Sequence, residues 1–142
     1  MTKNKAIQKK IPTPSTLTSS SATPLVELKL DFFLESARFL KFLPSTHPCA
    51  QLHGHSFKVI LSFRGPIQPQ IGWLEDYSIL EKKLKPILKQ LDHQVLNDIP
   101  GLENPTTELI CIWLYDKIKR KIKILHQVTI RETHNTECSY PI

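Results

Sequence analysis

Alternating apolar and polar positions predict strands near both ends of the chain. Residues 56–65 are the clearest case, and the apolar face of that strand comprises Phe57, Val59, Leu61 and Phe63. Residues 25–39 alternate similarly and are rich in aromatic side chains, although the same residues also fit a helix. Residues 124–140 read as two strands joined around His134 and Asn135. The pattern therefore predicts one pair of strands early in the chain and a second pair at its end.

Apolar residues at helical spacing occupy the middle of the chain. Residues 76–93 carry a stripe that consists of Leu80, Leu84, Ile87, Leu88 and Leu91. Pro86 lies inside this segment and is expected to kink or break the helix. Residues 106–121 predict a second helix, with Thr106 as N-cap and a stripe of Ile110, Trp113, Leu114 and Ile118. The order strand, strand, helix, helix, strand, strand predicts an α+β fold, with both helices on one face of an antiparallel sheet.

The charge of the chain is concentrated in its first segment. Of a net charge of +6, residues 1–25 hold four lysines and no acid, which leaves +2 for the remainder. This segment is rich in Lys, Ser, Thr and Pro, so we expect a disordered leader before a domain at residues 26–142. A transit peptide is a weaker interpretation because the segment has no arginine. The basic cluster at residues 117–123 has two interpretations. It is either a solvated helix end or a site that attracts a phosphate chain.

The bulk composition is that of an ordinary globular domain of 142 residues. No apolar run is long enough to span a membrane, and the small net charge of the domain does not predict nucleic-acid binding. The three cysteines, Cys49, Cys111 and Cys138, are odd in number and lack a CxxC spacing. This usage, together with the lack of a signal-peptide pattern, favours a reducing, cytoplasmic location.

Residues 47–57, HPCAQLHGHSF, contain the first candidate site. His53 and His55 are two positions apart at the start of a strand, so their imidazoles lie on one face, and imidazole suits zinc. A zinc site needs a third ligand, and the alternative is a pair of polar residues in a strand-entry loop. Cys49 is either a small apolar residue or, beside a metal or an imidazole, a thiolate able to act as nucleophile or base.

Two further candidates lie downstream. Asp92 and His93 are adjacent where the first helix is expected to end, so the carboxylate could orient the imidazole for proton transfer. The alternative is a helix C-terminal cap. Glu132 follows an apolar strand face, and it could either accept N–H groups of a ligand or pair with Arg131 or a lysine.

Three stretches together resemble the 6-pyruvoyltetrahydropterin synthase superfamily. They are CAQLHGHSF, GWLEDYSILEKKLKPILKQLDHQVLNDIPGLENPTTE and IRETHNTECSY, in family order with family-like spacing across residues 28–140. Within the superfamily the chain is most similar to the bacterial branch, the 6-carboxytetrahydropterin synthases of queuosine biosynthesis. This combination of motifs is far more specific than any one of them.

The resemblance implies a T-fold, in which two helices pack on one face of a four-stranded antiparallel sheet. It also implies a homo-oligomer, a trimer or hexamer, with active sites between subunits. The implied reaction converts 7,8-dihydroneopterin triphosphate and water to 6-carboxytetrahydropterin, acetaldehyde and triphosphate. The chain would then be a zinc-dependent carbon–carbon lyase with a small-molecule pterin partner and no nucleic-acid or membrane partner.

The resemblance also implies the roles of individual residues. The catalytic residues would be Cys49, Asp92, His93 and Glu132. In the family the cysteine accepts a proton, the Asp-His pair relays protons, and the glutamate binds the pyrimidine N–H groups of the pterin. His53 and His55 would be zinc ligands, and the basic cluster at residues 117–123 gains the triphosphate as a candidate partner.

One position departs from the family pattern. The family's first zinc ligand is a histidine in the first strand, and its spacing of eleven residues before Cys49 falls on Arg38. An arginine has no lone pair and cannot ligate zinc. Four explanations are open: His47 completes the site, zinc binds weakly through His53 and His55 with waters, the metal is lost, or the alignment is shifted.

Three functions follow from these alternatives. The joint presence of the other site residues favours the lyase. Arg38 instead motivates a zinc-deficient, catalytically impaired or inactive pterin-binding paralogue. A related pterin enzyme with an aldolase-type cleavage or a pyruvoyl-forming elimination is the third option.

Overall fold

The fold is seen in a computed structural model that describes residues 22–142. Its main elements, in chain order, are β1 (Leu25–Arg38), β2 (His53–Pro66), α1 (Tyr77–Leu88), α2 (Thr107–Lys121), β3 (Leu125–Thr133) and β4 (Thr136–Tyr140). The strands form an antiparallel sheet in the order β1-β2-β3-β4. Helix α2 packs on β3 and β4, and α1 packs against α2. The α+β fold predicted from the sequence is confirmed.

The predicted disordered leader, residues 1–25, falls mainly on residues 1–21, which lie outside the described residues. Strand β1 begins at Leu25, one position before the predicted start of the domain. The amide of Ile67 donates to the carbonyl of Pro24 at 3.1 Å, so the chain is tied to the domain from that point.

The core lies between the sheet and the helices, as the apolar periodicity predicted. The β2 face is fully buried and consists of Phe57, Val59, Leu61 and Phe63. The two helical stripes are buried as well, and they consist of Leu80, Leu84, Ile87, Leu88, Leu91, Ile110, Trp113, Leu114 and Ile118. Removing this apolar surface from water is the main stabilising contribution, at roughly 25 cal/mol per Å².

Strands β1 and β2 pair over their whole length, and their register decides which side chains meet. Arg38 lies opposite His53, and Ser36 lies opposite His55. Since partners in an antiparallel pair project to the same side, these four side chains share one face of the sheet. The same row continues into the core through Phe57, which is buried. The histidines therefore lie at the end of the core, on the strand itself rather than in a loop before it.

Helix α1 ends earlier than the apolar pattern indicated. The pattern covered residues 76–93, whereas the helix spans Tyr77–Leu88. Pro86 lies in its last turn and has no amide N–H to donate to the carbonyl one turn earlier. The helix nevertheless continues past Pro86 to Leu88, and the amide of Lys89 still donates to the carbonyl of Lys85 at 3.0 Å. The turns that follow carry Asp92 and His93.

Helix α2 begins as predicted. Thr106 is its N-cap, and the Thr106 hydroxyl accepts a hydrogen bond from the amide of Leu109 at 3.3 Å. This bond satisfies one of the amides that a helix leaves unpaired at its start. The cap also fixes the position of Thr107, the first helical residue.

The end of β1 is held by the loop that precedes α2. The Asn97 side chain accepts from the amide of Phe39 at 2.9 Å and donates to the Phe39 carbonyl at 2.7 Å. Asn104 accepts from the amide of Lys41 at 3.1 Å. These bonds hold the backbone of the residues that directly follow β1.

All three cysteines are free. The thiol of Cys111 donates to the carbonyl of Cys138 at 3.3 Å, and burial raises the pKa of that thiol, so it is not a reactive group. No helix in residues 22–142 combines the length and apolar character needed to cross a membrane.

Replacing the helix cap tests this account of α2. We expect Thr106→Ala to lower the free energy of unfolding by about 1 kcal/mol, because the Leu109 amide loses its acceptor. Urea denaturation followed by circular dichroism measures this change. Thr46→Ala, at an exposed position, is the control and should change stability by less than about 0.5 kcal/mol. Equal effects of the two substitutions would contradict the capping role.

Candidate functional site

His53 and His55 lie side by side near the start of β2. Their ring centroids are 4.7 Å apart. Nδ1 of His53 lies 2.7 Å from the carbonyl oxygen of Gln51, and because a carbonyl only accepts, Nδ1 carries the proton and Nε2 carries a lone pair. The Nε2 atoms of both histidines are buried and have no hydrogen-bond partner among the described residues. Two unsatisfied imidazole nitrogens therefore lie next to each other.

The electrostatic environment keeps His55 neutral. Burial and then the charge of Arg38 lower the pKa of His55, and together they outweigh the opposing effect of Glu132. Nε2 of His55 lies 3.3 Å from Oε1 of Glu132, but the approach lacks the alignment of a hydrogen bond. The neutral form leaves an imidazole lone pair at neutral pH.

Arg38 is buried beside this pair, with only 2% of its surface exposed. Its Nη2 lies 2.7 Å from Oε1 of Glu132. Its Nη1 donates to the carbonyl of Pro105 at 2.9 Å and to the hydroxyl of Thr107 at 3.3 Å. The guanidinium carbon lies 5.2 Å from the centre of the Phe57 ring. The guanidinium is thus fixed on both of its terminal nitrogens and against an aromatic ring.

Glu132 is the residue that joins β3 to this group. Besides the contact with Arg38, its Oε2 accepts from the hydroxyl of Thr107 at 2.6 Å. Burial would raise the pKa of Glu132, but the hydrogen bonds from Thr107 and Arg38 outweigh that effect and lower it. The sequence-based alternative named the wrong cation, because Arg131 pairs with Glu137 at 2.7 Å.

Cys49 lies on a short 3₁₀ turn, Pro48–Ala50, just before β2. The amide of Cys49 donates to Nδ1 of His47 at 3.1 Å, so His47 caps the turn. Cys49 is partly exposed, and within residues 22–142 its sulfur makes no hydrogen bond. The thiol is therefore free to meet a ligand.

Asp92 and His93 form a hydrogen-bonded pair after α1. Oδ2 of Asp92 lies 2.9 Å from Nδ1 of His93, and Oδ1 accepts from the amide of Glu35 at 3.0 Å. The amide of His93 donates to the Glu35 carbonyl at 2.6 Å, with His93 at φ 58°. The hydrogen bond from Glu35, followed by that from His93, lowers the pKa of Asp92. The alternative of a helix cap is wrong, because α1 already ends at Leu88.

The candidate residues line cavities at the protein surface. A cavity of about 440 Å³ is lined in part by His55 and His93. A second cavity, of about 160 Å³, is lined in part by Thr107, Glu132 and Cys138. Cavities open to the surface therefore adjoin His55, His93 and Glu132.

The basic cluster at residues 117–123 forms the C-terminal end of α2. Nζ of Lys119 donates to the carbonyls of Lys123 and Leu125, at 2.8 Å and 2.6 Å. These bonds favour the interpretation as a helix end, where a cation interacts well with unpaired carbonyls. Binding of a phosphate chain by this cluster stays a prediction.

Comparison with known proteins identifies the family to which this arrangement belongs. The family model described as 6-pyruvoyl tetrahydropterin synthase matches residues 27–141, more than half of the chain. The chain belongs to the 6-pyruvoyl tetrahydropterin synthase family. Its pterin-processing relatives include lyases of the pterin synthase type.

Three relatives show the range within this family. A 6-carboxy-5,6,7,8-tetrahydropterin synthase from Synechocystis is 38% identical over 98 residues, 65% of this chain and 76% of that protein. A dihydroneopterin monophosphate aldolase from Pyrococcus furiosus is 36% identical over 72 residues, 51% of this chain and 60% of that protein. The structure of Caenorhabditis elegans 6-pyruvoyl tetrahydropterin synthase superposes with a TM-score of 0.77 at 25% identity, covering 83% of this chain and 96% of that one. The predicted T-fold is confirmed.

Enzymes of the 6-pyruvoyl tetrahydropterin synthase family are generally metal-dependent, and only part of this site fits a metal. His53 and His55 offer two unpaired Nε2 atoms. The third position holds Arg38, which has no lone pair and whose charge opposes a divalent cation. His47 is exposed on the neighbouring turn, where its Nδ1 accepts from Cys49. The described part of the chain contains no group of three His, Cys, Asp or Glu residues arranged to hold a metal, so this site does not fit a three-ligand zinc ion.

Several residues of the site were not singled out from the sequence. Thr107 donates to Glu132, and its only sequence signal is a second threonine next to the helix cap. Asn97 holds the backbone just after β1, and the Pro105 carbonyl holds the Arg38 guanidinium. Both contacts join distant parts of the chain. No local pattern marks such contacts.

Restoring a histidine at position 38 tests the metal interpretation. We expect Arg38→His to retain about one zinc per chain after dialysis, because a third imidazole would join His53 and His55. The natural chain should retain far less, and Arg38→His with His53→Ala should lose the gain. Metal analysis by mass spectrometry measures all three. Retention of about one zinc by the natural chain, with its loss in His47→Ala, would instead make His47 the third ligand.

Proposed function

We propose that this protein acts on the side chain of 7,8-dihydroneopterin triphosphate as a lyase of the 6-carboxytetrahydropterin synthase type. With water, the products would be 6-carboxytetrahydropterin, acetaldehyde and triphosphate. The Synechocystis relative is named for the synthesis of this product, which supports the proposal. The reaction would serve queuosine biosynthesis in the cytoplasm.

The observation that carries the proposal is the geometry of Asp92 and His93. A protein that only bound pterin would not need an imidazole held by a carboxylate at 2.9 Å, with its backbone anchored to β1. The carboxylate fixes the proton of His93 on Nδ1, which leaves Nε2 as the base. The His93 side chain is 75% exposed, so that nitrogen can reach a bound substrate. Such a pair transfers protons at a substrate carbon or hydroxyl.

Cys49 is the proposed proton acceptor. Its thiol is partly exposed and makes no hydrogen bond to Asp92 or His93 within residues 22–142. A thiol without an internal partner is available to the substrate. The resemblance to the family implies active sites between subunits, so one site would combine Cys49 of one subunit with the Asp92–His93 pair of another.

A homo-oligomer, a trimer or hexamer, is the assembly that this arrangement needs. Strands β1 and β4 are the outer strands of the sheet, so their edges are the places where copies of the chain could join. Phe33 on β1 is an apolar side chain with 68% of its surface exposed. Joining subunits along these edges would cover such apolar area.

Glu132 is the proposed substrate-binding residue. A pterin presents a ring N–H and an amino group side by side, and a carboxylate accepts both. The hydrogen bonds that lower the pKa of Glu132 keep it ionised for that purpose. Glu132 lines the 160 Å³ cavity, so the ring can approach it from solvent.

A second candidate function is pterin binding without turnover. Arg38 favours it, because the position of a family zinc ligand holds a buried cation. His53 and His55 would then be ligands without a metal. Their buried Nε2 atoms would meet water or a ligand hydroxyl instead.

Product analysis tests the two functions. We expect the natural chain to release about one acetaldehyde per 7,8-dihydroneopterin triphosphate consumed, assayed with and without added zinc. Cys49→Ala and His93→Gln should each lower kcat by roughly 100-fold, the usual contribution of a positioned acid or base. His126→Gln, a histidine change on β3 away from the pair, is the control and should leave kcat unchanged.

The remaining outcomes assign the protein differently. Tight pterin binding with no product would favour the binding function and contradict the lyase proposal. Another aldehyde, or a pyruvoyl product, would place the protein with relatives such as the Pyrococcus aldolase. Unchanged kcat in His93→Gln would remove the Asp92–His93 pair from the mechanism.

A further inference from the structure

We propose that Arg38 is a positioning residue that serves as the fixed cation of this site in place of a metal, and that it orients Glu132 to select a pterin ring. The proposal rests on the proposed role of Glu132 in binding pterin. The proposal adds Arg38 as a positioning residue, where the family pattern has a zinc ligand. It also adds a ligand selectivity that follows from the geometry of Arg38 and Glu132.

The first support is the pairing of the two terminal nitrogens of Arg38. They reach Glu132, Thr107 and the Pro105 carbonyl, whereas the buried Nε has no hydrogen-bond partner among the described residues. The Phe57 ring packs against the guanidinium at 5.2 Å. An arginine without a role at the ligand position would not be expected to bind three separate segments of the chain.

The second support is a closed network around the carboxylate. Arg38 contacts Oε1 of Glu132 at 2.7 Å, Thr107 donates to Oε2 at 2.6 Å, and Arg38 donates to Thr107 at 3.3 Å. Each oxygen has therefore accepted one bond, and the rotation of the carboxylate is fixed by two partners. A carboxylate has about four acceptor positions, so about two remain for a ligand.

The third support is the way in which Arg38 itself is held. Asn97 binds both the amide and the carbonyl of Phe39, the next residue, so the backbone at the end of β1 cannot shift. The Pro105 carbonyl fixes the far side of the guanidinium. The loop before α2 therefore sets the position of Arg38, which sets the orientation of Glu132.

The consequence is selectivity for the amino-substituted edge of the ring. A pterin offers a ring N–H beside an amino group, and both can donate to the two free positions of Glu132. A lumazine, the matching ring with oxygen in place of the amino group, turns a lone pair toward the carboxylate. A fixed, ionised carboxylate rejects the lumazine, whereas a loosely held one discriminates less.

The experiment compares the dissociation constants of neopterin and of the lumazine with the same side chain. Ligand fluorescence measures both on the full-length protein, with and without a metal chelator. We expect the natural chain to prefer neopterin with or without chelator. The measured quantity is the lumazine dissociation constant divided by the neopterin dissociation constant. Arg38→Gln should lower this ratio at least about tenfold, and Arg38→Lys should lower it less. Thr107→Val should lower it as well. Arg64→Gln, which alters an exposed arginine paired with Glu27, should retain the natural ratio.

The ratio separates positioning from general damage. Equal weakening of both ligands in Arg38→Gln, or an unchanged ratio, would overturn the proposal, as would loss of the natural preference on chelation. If circular dichroism shows that Arg38→Gln does not fold, the other two variants decide. The proposal would then be overturned if Arg38→Lys and Thr107→Val both keep the ratio of the natural chain. An unaltered ratio in Glu132→Gln, or no binding of neopterin by the natural chain, would mark failure of the proposed pterin site itself.

Discussion

The ion pair between Arg38 and Glu132 is the interaction on which the site depends. A guanidinium with 2% of its surface exposed needs an opposite charge close by, and Glu132 supplies it at 2.7 Å. The pair joins the end of β1 to the end of β3, while Thr107 brings in the first turn of α2. Removing one partner would leave the other as an uncompensated charge, so the three elements hold their positions together.

The same ion pair changes the chemistry of the neighbouring histidines. The charge of Arg38 contributes to the lowered pKa of His55 and also opposes a divalent cation. The two buried imidazole Nε2 atoms are left without a third metal ligand within the described residues. The proposed proton transfer by the Asp92–His93 pair would not depend on that position, because the pair is held by Glu35 instead. The proposed binding and proton transfer would therefore be separable from a metal.

The fold could be predicted from the sequence because its signals are local. A period of two in β2 and a period near 3.6 in the helices follow directly from backbone geometry, and Thr106 caps α2 through a bond within one turn. The candidate residues Cys49, His53 and His55 were found for the same reason, since their spacing lies within one short segment.

What the sequence determined, then, were the elements, their order, the family and the identities of the candidate residues. Only the tertiary structure decided which groups interact. Glu132 pairs with Arg38 rather than with Arg131, and Asp92 accepts a hydrogen bond from the amide of Glu35. Such pairs join residues that are far apart in the chain, and no periodicity encodes them. The sequence showed that position 38 could not ligate a metal. The packing showed that the arginine there is buried, paired and part of the site.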